Sequence, residues 1–197
     1  MNTPPPLILG STSRYRRELL ERLRLPFEAI APQVDETPLP GEAPSAMALR
    51  LALAKAQAVS ALHPQAVVIG SDQVADLDGQ AIGKPGTHER AVDQLRRLSG
   101  RRAVFQTAVA VVRADTAFAE VMLAPVTVRF RQLSDAEIEH YLRLEQPYDC
   151  AGSAKSETLG IALLDAIESD DPTALVGLPL IRTCQMLRRA GLDPLAR

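Results

Sequence analysis

The sequence predicts an α/β fold in which a mixed β-sheet is flanked by helices. Three observations support this fold class. Short apolar runs of strand length alternate with longer segments of helical spacing along all 197 residues. Capping residues and glycines mark the boundaries of several helices. A hydrophobic content of 46% is enough for an ordinary buried core.

The first two elements are a buried strand and a helix that begins with arginines. The strand Leu7–Leu9 runs into the turn Gly10–Ser13, and Arg14, Arg16 and Arg17 follow in the first turn of the helix. Free N–H groups already make a helix start positive, so three arginines there favour a bound anion such as phosphate. The alternative is a solvated basic helix end.

A second strand and a long helix come next. Phe27–Ala31 has strand character, and the loop Pro32–Pro44 is rich in proline and acidic residues. Ser45 is expected to cap a helix over Ala46–Leu62, because apolar residues recur there at helical spacing.

The third strand introduces the strongest catalytic candidate. The apolar run Ala66–Gly70 leads directly to Asp72, and Val74–Leu77 continues extended to a turn at Asp78. Ligands of open α/β sheets bind beyond the carboxyl ends of strands, where both Ser11 and Asp72 are expected. A carboxylate there can orient water or accept its proton, whereas the simpler alternative is a cap or turn residue.

The second half of the chain continues the alternation of helices and strands. Ser134 and Glu137 form a capping box, which predicts a helix start. An apolar face on the last helix is compatible with core packing or with a homodimer. The predicted elements are a helix from Thr87 to Leu98, antiparallel strands Ala103–Val112 and Phe118–Phe130, a helix Asp135–Leu144, short strands Gly160–Leu164 and Ala166–Ser169, and a helix Leu178–Ala190.

Charged residues in three loops are further site candidates. Asp35 and Glu36 suit a hard cation such as Mg²⁺ or Mn²⁺, although adjacent acids are often only solvated. Lys84 lies in a rigid Gly-Lys-Pro turn, from which its ammonium can reach a phosphate oxygen. Lys155 and Glu157 can contact phosphate and base, respectively, or form a surface ion pair.

The overall composition excludes several classes of protein. A net charge of -2 and a pI of about 5.9 argue against a nucleic-acid-binding face. Two cysteines are too few for a disulfide scaffold, and no signal peptide is recognisable. No apolar run approaches the roughly 20 residues that cross a bilayer. We therefore expect a cytoplasmic protein with no membrane or nucleic-acid partner.

Taken together, the motifs resemble the Maf family of nucleoside triphosphate pyrophosphatases over nearly the whole chain. Each motif is weak alone, but their order is specific. The resemblance implies one domain over residues 1–197, with an elongated fold like that of inosine triphosphate pyrophosphatases and a cleft between two lobes. The motifs are Leu9–Ser13 with Arg16 and Glu18–Leu20, Asp35-Glu36, Arg50–Ala52 with Lys55-Ala56, Gly70–Asp72, Gly83–Pro85, Leu98–Gly100, Ala151-Gly152 and Val176–Pro179.

Three positions make the chain similar to the branch that hydrolyses 7-methyl-GTP. The branch acting on dTTP and UTP usually has Arg, Thr and Gln where this chain has Tyr15, Gln73 and Glu157. Methylation at N7 gives guanine a positive charge that the Tyr15 ring can attract, and Glu157 can accept from guanine N–H groups. The chain departs from this branch at four places, namely Tyr15 for Trp, Ala154 for an aromatic residue, Gln106–Ala108 for Tyr-Thr-Gly, and Arg14 for the family's frequent Pro.

The resemblance implies a metal-dependent cleavage of a nucleotide to its monophosphate and diphosphate. In this hypothesis Asp72 accepts the proton of the attacking water, and Asp35, Glu36 and Asp72 hold Mg²⁺ or Mn²⁺. The groups expected to bind the phosphates are Ser11, Arg16, Lys55, Lys84 and Lys155. Two alternatives remain, a dTTP or UTP pyrophosphatase and a nucleotide-binding regulator of septum formation.

Overall fold

A mixed β-sheet runs through the protein. The computed structural model describes residues 4–196, and within that range seven strands form one sheet. The strands are β1 (Leu7–Gly10), β2 (Glu28–Ala29), β3 (Val67–Leu77), β4 (Gln80–Ile82), β5 (Arg102–Arg113), β6 (Phe118–Phe130) and β7 (Leu164–Glu168). Their order is β2-β1-β3-β5-β6-β7, and β4 pairs with β3 as a hairpin. The strand β1 is parallel to both its neighbours, whereas the other pairings are antiparallel.

Five α-helices cover the sheet in the part of the chain that the structure describes. They are α1 (Arg14–Glu21), α2 (Pro44–Ser60), α3 (His88–Leu98), α4 (Asp135–Glu145) and α5 (Leu180–Arg189). Short 3-10 helices lie at Ala114–Thr116, Ala151–Ser153, Leu159–Leu163 and Ala174–Val176. The predicted mixed α/β fold with flanking helices is thereby confirmed.

The core divides into three clusters. On one face of the sheet α2 packs against β1, β3 and β5. On the other face α1 and α5 cover one half of the sheet, and α3 and α4 cover the other half. The long strands β3 and β5 pass beneath both halves, so polar groups at their centres lie between two apolar clusters.

The strand β3 is longer than predicted, and Asp72 lies inside it. The pairing with β1 covers only Val67–Gly70, but the pairing with β5 continues to Asp76. Pairing with β5 keeps Ser71–Gln73 extended. Asp72 was predicted to follow the end of the strand, but it lies within the strand. It lies just beyond the end of β1, where one edge of β3 loses its neighbour.

The helix α2 begins earlier than predicted and without a side-chain cap. Ala43 is the N-cap residue, and Pro44 occupies the first turn. Proline has a suitable φ for that position and lacks the N–H group that would be left unpaired there, so a cap at Ser45 was the wrong prediction. The helix ends at Ser60, two residues before the predicted Leu62.

The C-terminal region contains one strand where two were predicted. The segment Leu159–Leu163 is a 3-10 helix, and β7 alone pairs with β6. A Cβ at Gly160 would collide with the Lys155 backbone, so this glycine serves a tight turn and not a strand. The helix α5 begins after Pro179, its N-cap residue, and not at Leu178.

The apolar face of α5 belongs to the core. Leu180, Met186 and Leu187 are buried in the same cluster as α1, whereas Ile181 is 47% exposed. A homodimer stays a prediction. Among residues 4–196, no helix combines the length and apolarity that crossing a bilayer requires.

Candidate active site

A cavity of about 820 Å³ opens beside the carboxyl end of β1. Its walls come from the start of α1, from α2 and β3, and from three loops. The structure brings nine of the eleven predicted site residues to this cavity, namely Ser11, Tyr15, Arg16, Glu36, Lys55, Asp72, Gln73, Lys84 and Glu157. Asp35 and Lys155 do not line it.

The turn between β1 and α1 positions the first cationic group. Ser13 caps α1 by accepting from the Arg16 N–H at 3.4 Å, and the Ser11 hydroxyl accepts from the Ser13 N–H at 3.2 Å. The Arg16 Nε donates to the Gly177 carbonyl at 2.9 Å. Burial lowers the pKa of Arg16, while the charges of Asp72 and Glu36 raise it. Because an arginine remains protonated in proteins, this guanidinium is a fixed positive charge at the cavity.

A buried lysine joins the two carboxylates at the centre of the site. The Lys55 Nζ lies 2.7 Å from Asp72 Oδ1 and 2.8 Å from Glu36 Oε1. The Lys55 and Asp72 side chains are only 7% and 10% exposed, whereas the Glu36 side chain is 60% exposed. A nearly buried charge must be paired, and this ammonium pairs with both acids.

The close packing of α2 on β3 explains how Lys55 reaches Asp72. A Cβ at Gly70 would collide with the Ala52 carbonyl, so glycine lets the helix approach the strand directly. Side chains alternate along a strand, and Gly70 and Asp72 therefore share the face that α2 covers. Lys55 follows Ala52 by three residues and projects from the same side of the helix.

Gln73 lies on the opposite face of β3, where it holds a backbone turn. Its Nε2 donates to Thr107 Oγ1 at 2.9 Å and to the carbonyls of Ala174 and Leu175 at 3.1 and 2.9 Å. Thr107 donates its own hydroxyl to the Ala174 carbonyl at 3.0 Å. These contacts occupy the amide nitrogen and fix the orientation of the side chain.

Tyr15 lies at the edge of the cavity between two cations. The Arg14 guanidinium lies 4.7 Å from the ring centroid, and the Lys155 Nζ lies 5.8 Å from it. Burial raises the pKa of Tyr15, and its hydrogen bond with Arg14 lowers it. Lys155 also lies 3.8 Å from Glu145 on α4. The structure thus places Lys155 next to Tyr15, and its assignment to phosphate binding stays a prediction.

The predicted acidic and basic loop residues are only partly brought together. Glu36, Lys84 and Glu157 line the cavity, and the latter two come from separate loops. Asp35 is exposed and accepts from the Thr37 N–H at 2.9 Å. Its assignment as a metal ligand stays a prediction that its position does not favour.

Sequence reasoning missed several groups that shape the cavity. The Gly177 carbonyl accepts from both Arg16 and Ser71, and Thr107 secures Gln73. Backbone carbonyls leave no signal in the sequence, whereas a threonine within an apolar strand is a signal that was available. Cys150 also lines the cavity, and burial raises its pKa to about 12, so it is a neutral thiol near neutral pH.

Comparisons with known proteins identify similar sequences. Residues 6–190 match the family model described as Maf-like protein. The chain is 70% identical over 190 residues to the 7-methyl-GTP pyrophosphatase of Polaromonas sp. strain JS666, covering 96% of this chain and 87% of the relative. It is 68% identical to the 7-methyl-GTP pyrophosphatase of Albidiferax ferrireducens, covering 96% and 95% of the two chains. The Bordetella pertussis protein of the same name is 65% identical, with 98% and 96% covered.

Proposed function

Because the chain belongs to the Maf family, we propose that it is a nucleoside triphosphate pyrophosphatase that hydrolyses 7-methyl-GTP to 7-methyl-GMP and diphosphate. The names of relatives that are 65–70% identical over nearly the whole chain support this substrate. The observation that carries the reaction class is the nearly buried Asp72 carboxylate, paired with Lys55 within a cavity that also contains Arg16.

The surroundings of Asp72 support a role as the proton acceptor. Lys55 binds one of its oxygens and so holds the carboxylate in place, which leaves the other oxygen to accept a proton from water. That water attacks the α-phosphorus, and the bond to the bridging oxygen of the departing diphosphate breaks. Asp72 takes the proton, so the attacking water becomes an oxygen of 7-methyl-GMP.

Cationic groups at the cavity stabilise the charge of the triphosphate. Arg16 and Lys84 both line the cavity and come from different segments of the chain. Ser11 adds a hydroxyl at the start of α1, where the N–H groups also attract anions. We propose that these three side chains and Lys55 bind the phosphates, because preorganised charges act most strongly where negative charge develops.

The carboxylates at the cavity fit a divalent metal ion. Mg²⁺ and Mn²⁺ prefer oxygen ligands, and Mg²⁺ commonly binds one or two protein carboxylates together with substrate phosphates. Glu36 and Asp72 both contact Lys55 and therefore lie close to each other. Asp35, the third predicted ligand, does not line the cavity, so we propose Glu36 and Asp72 as the metal ligands. A metal ion there would withdraw charge from the phosphate oxygens.

Three further residues that line the cavity are candidates for recognising the base. We propose that Tyr15, Gln73 and Glu157 determine the substrate, because all three line the cavity and differ from the branch that acts on dTTP and UTP. Glu157 provides a carboxylate for the N–H groups of guanine, and the Tyr15 ring attracts the positive charge of the methylated base.

The test is a panel of nucleotides assayed for released diphosphate with and without Mg²⁺ or Mn²⁺. We expect the highest kcat/KM with 7-methyl-GTP, dependence on the added metal, and no release when Asp72 is replaced by Asn in a folded protein. A preference for UTP and dTTP would identify the other branch of the family. Tight nucleotide binding without diphosphate release would instead support a regulator, and unchanged turnover of Asp72→Asn would reject the catalytic assignment.

A further inference from the structure

Two loops form a common wall of the cavity. The turn 83–86 carries Lys84, and the loop 148–157 carries Glu157. In the proposed function Lys84 binds phosphate and Glu157 binds the base. The relative position of these loops therefore decides whether one nucleotide can contact both side chains.

One side chain outside the cavity joins the two loops. The Gln94 Nε2 on α3 donates to the Gly83 carbonyl at 3.1 Å, and its Oε1 accepts from the Ser153 hydroxyl at 2.6 Å. Both ends of the amide are used, and its orientation is fixed because a carbonyl can only accept while the Ser153 hydroxyl donates. Gln94 itself does not line the cavity.

The hydrogen bond between Gln94 and Ser153 supports the conformation of the loop 148–157. Ser153 is fully buried and has a φ of 55°, a left-handed conformation that a serine rarely adopts. Such a conformation persists only where neighbouring contacts enforce it. The hydroxyl bond to Gln94 is one of these contacts, and the bond from the Ser153 N–H to the Cys150 carbonyl is another.

A second pair of contacts joins Tyr148, in the loop 148–157, to Gly86 and to the start of α3. The Gly86 N–H donates to the Tyr148 carbonyl at 3.0 Å, and the His88 Nδ1 lies 2.9 Å from the Tyr148 hydroxyl. Gly86, at the far end of the turn 83–86, is thus fixed to the loop 148–157 independently of Gln94. Gln94 secures the near end, at the residue directly before Lys84.

We propose that Gln94 is a positioning residue that holds the Lys84 turn against the loop of Glu157, so that Lys84 reaches the phosphates of a nucleotide whose base contacts that loop. This inference rests on the proposed function. Lys84 itself is exposed, and the reach of its long flexible side chain depends on where the backbone of the turn is held.

The test is a double-mutant cycle on kcat/KM for 7-methyl-GTP with Gln94→Met and Lys84→Met. Removal of the Lys84 charge should lower kcat/KM about tenfold or more, as expected for a charged hydrogen bond. Gln94→Met should lower kcat/KM several-fold, and the double variant should match Lys84→Met alone. Additive losses in the cycle would show that Gln94 acts without Lys84 and would overturn the inference.

Two further variants separate positioning from general stability. Ser153→Ala removes only the bond to the loop 148–157 and should reproduce part of the Gln94→Met loss. Gln80→Met is the matched control, because Gln80 contacts Arg97 of the same helix and does not line the cavity. It should leave kcat/KM unchanged. An equal loss in Gln80→Met would mean that any disturbance near α3 suffices and would reject the specific role.

Hydrogen exchange tests, independently of enzymatic activity, whether Gln94 holds the two loops together. In Gln94→Met the amides of Gly83, Lys84, Gly86 and residues 151–153 should exchange faster, with little change in α4. Unchanged exchange would overturn the inference even if diphosphate release is normal. If the wild-type protein releases no diphosphate, the proposed function fails. Faster exchange in Gln94→Met would still show that Gln94 holds the two loops together. An unchanged kcat/KM in Lys84→Met would remove Lys84 from the site and the inference with it.

Discussion

At the scale of single residues, Lys55 connects the stability of the site to its chemistry. Its ammonium is nearly buried and contacts Asp72 and Glu36, which lie on different segments. Desolvating these charges is costly, and only their mutual contacts compensate for that cost. The same pairing keeps a carboxylate oriented toward the cavity.

Replacing Lys55 with Met should therefore destabilise the protein and remove activity. The change leaves Asp72 nearly buried without its main partner, which typically costs about 3–5 kcal/mol. Urea unfolding measures this loss. Lys84→Met is the matched control, because Lys84 is exposed and its removal should change the free energy of unfolding by less than about 0.5 kcal/mol. Equal unfolding midpoints for the two variants would contradict this role of Lys55.

The choice of base should also change with three residues. A triple variant with Tyr15→Arg, Gln73→Thr and Glu157→Gln should shift the preference toward UTP and dTTP, because it removes the aromatic ring and the carboxylate that suit a methylated guanine. The measurement is the ratio of kcat/KM for 7-methyl-GTP to that for UTP. A ratio equal to that of the wild type would remove these positions from base selection.

Several site residues could be predicted from the sequence because their residue types are unusual at their positions in a strand or helix. Arginines at the start of α1 and an acid after an apolar run indicate a ligand whatever the details of the fold. The positions of Lys155 and Asp35 were harder to predict, since the sequence does not specify whether the side chain of a loop residue points toward a cavity or away from it. The backbone contacts of Gly177 and the orientation of Gln73 depend on segments more than 60 residues apart.

At the scale of elements, the start of α4 gives a prediction with a defined pH range. Glu137 accepts from the Ser134 N–H and from Arg131, and these bonds, the Ser134 N–H first, lower its pKa to about 2 from a usual 4.5. The ionised form is thus favoured in the folded state. Its stabilising effect is complete above pH 4.5 and is lost as the pH falls toward 2.

Glu137→Gln should therefore reduce stability near neutral pH, and its difference from the wild type should shrink between about pH 5 and pH 3. Urea unfolding at several pH values measures that difference. The control is Glu21→Gln, because Glu21 is an exposed acid at the end of α1 and is not part of a capping box. A difference that stays constant with pH would contradict the coupling of the capping box to Arg131.

Helices with local signals were predicted best. Thr87 and the capping box of Ser134 mark the starts of α3 and α4, and both caps are present. The errors concern elements whose limits depend on distant partners. The length of β3 is set by β5, and the segment 159–163 is shaped by its contact with the Lys155 backbone.

At the scale of the whole molecule, the strands β3 and β5 underlie both core clusters on one face. We therefore propose that the chain forms a single domain with two lobes. Unfolding in urea should be one cooperative transition. Both clusters pack on β3 and β5, so separation of these strands disrupts both clusters. Pulsed hydrogen exchange should give the same midpoint for peptides of α1 and α5 as for those of α3 and α4. Two separate midpoints would show independent lobes.

The fold class was predictable because alternation of elements is a property of the whole chain, whereas local patterns did not define how the cavity is built. The site depends on β1 ending at Gly10 while β3 continues, and strand length alone did not reveal this from the sequence. The resemblance to the Maf family provided the arrangement that local patterns could not.

The outer strands of the sheet bear on the behaviour of the protein at high concentration. The strand β2 has only two residues, and β7 has five, including Asp165 and Glu168. Short or charged edge strands are poor templates for pairing with a strand of another chain. We therefore expect the edges of the sheet to disfavour fibril growth, even though the interior strands β3, β5 and β6 are long and rich in valine.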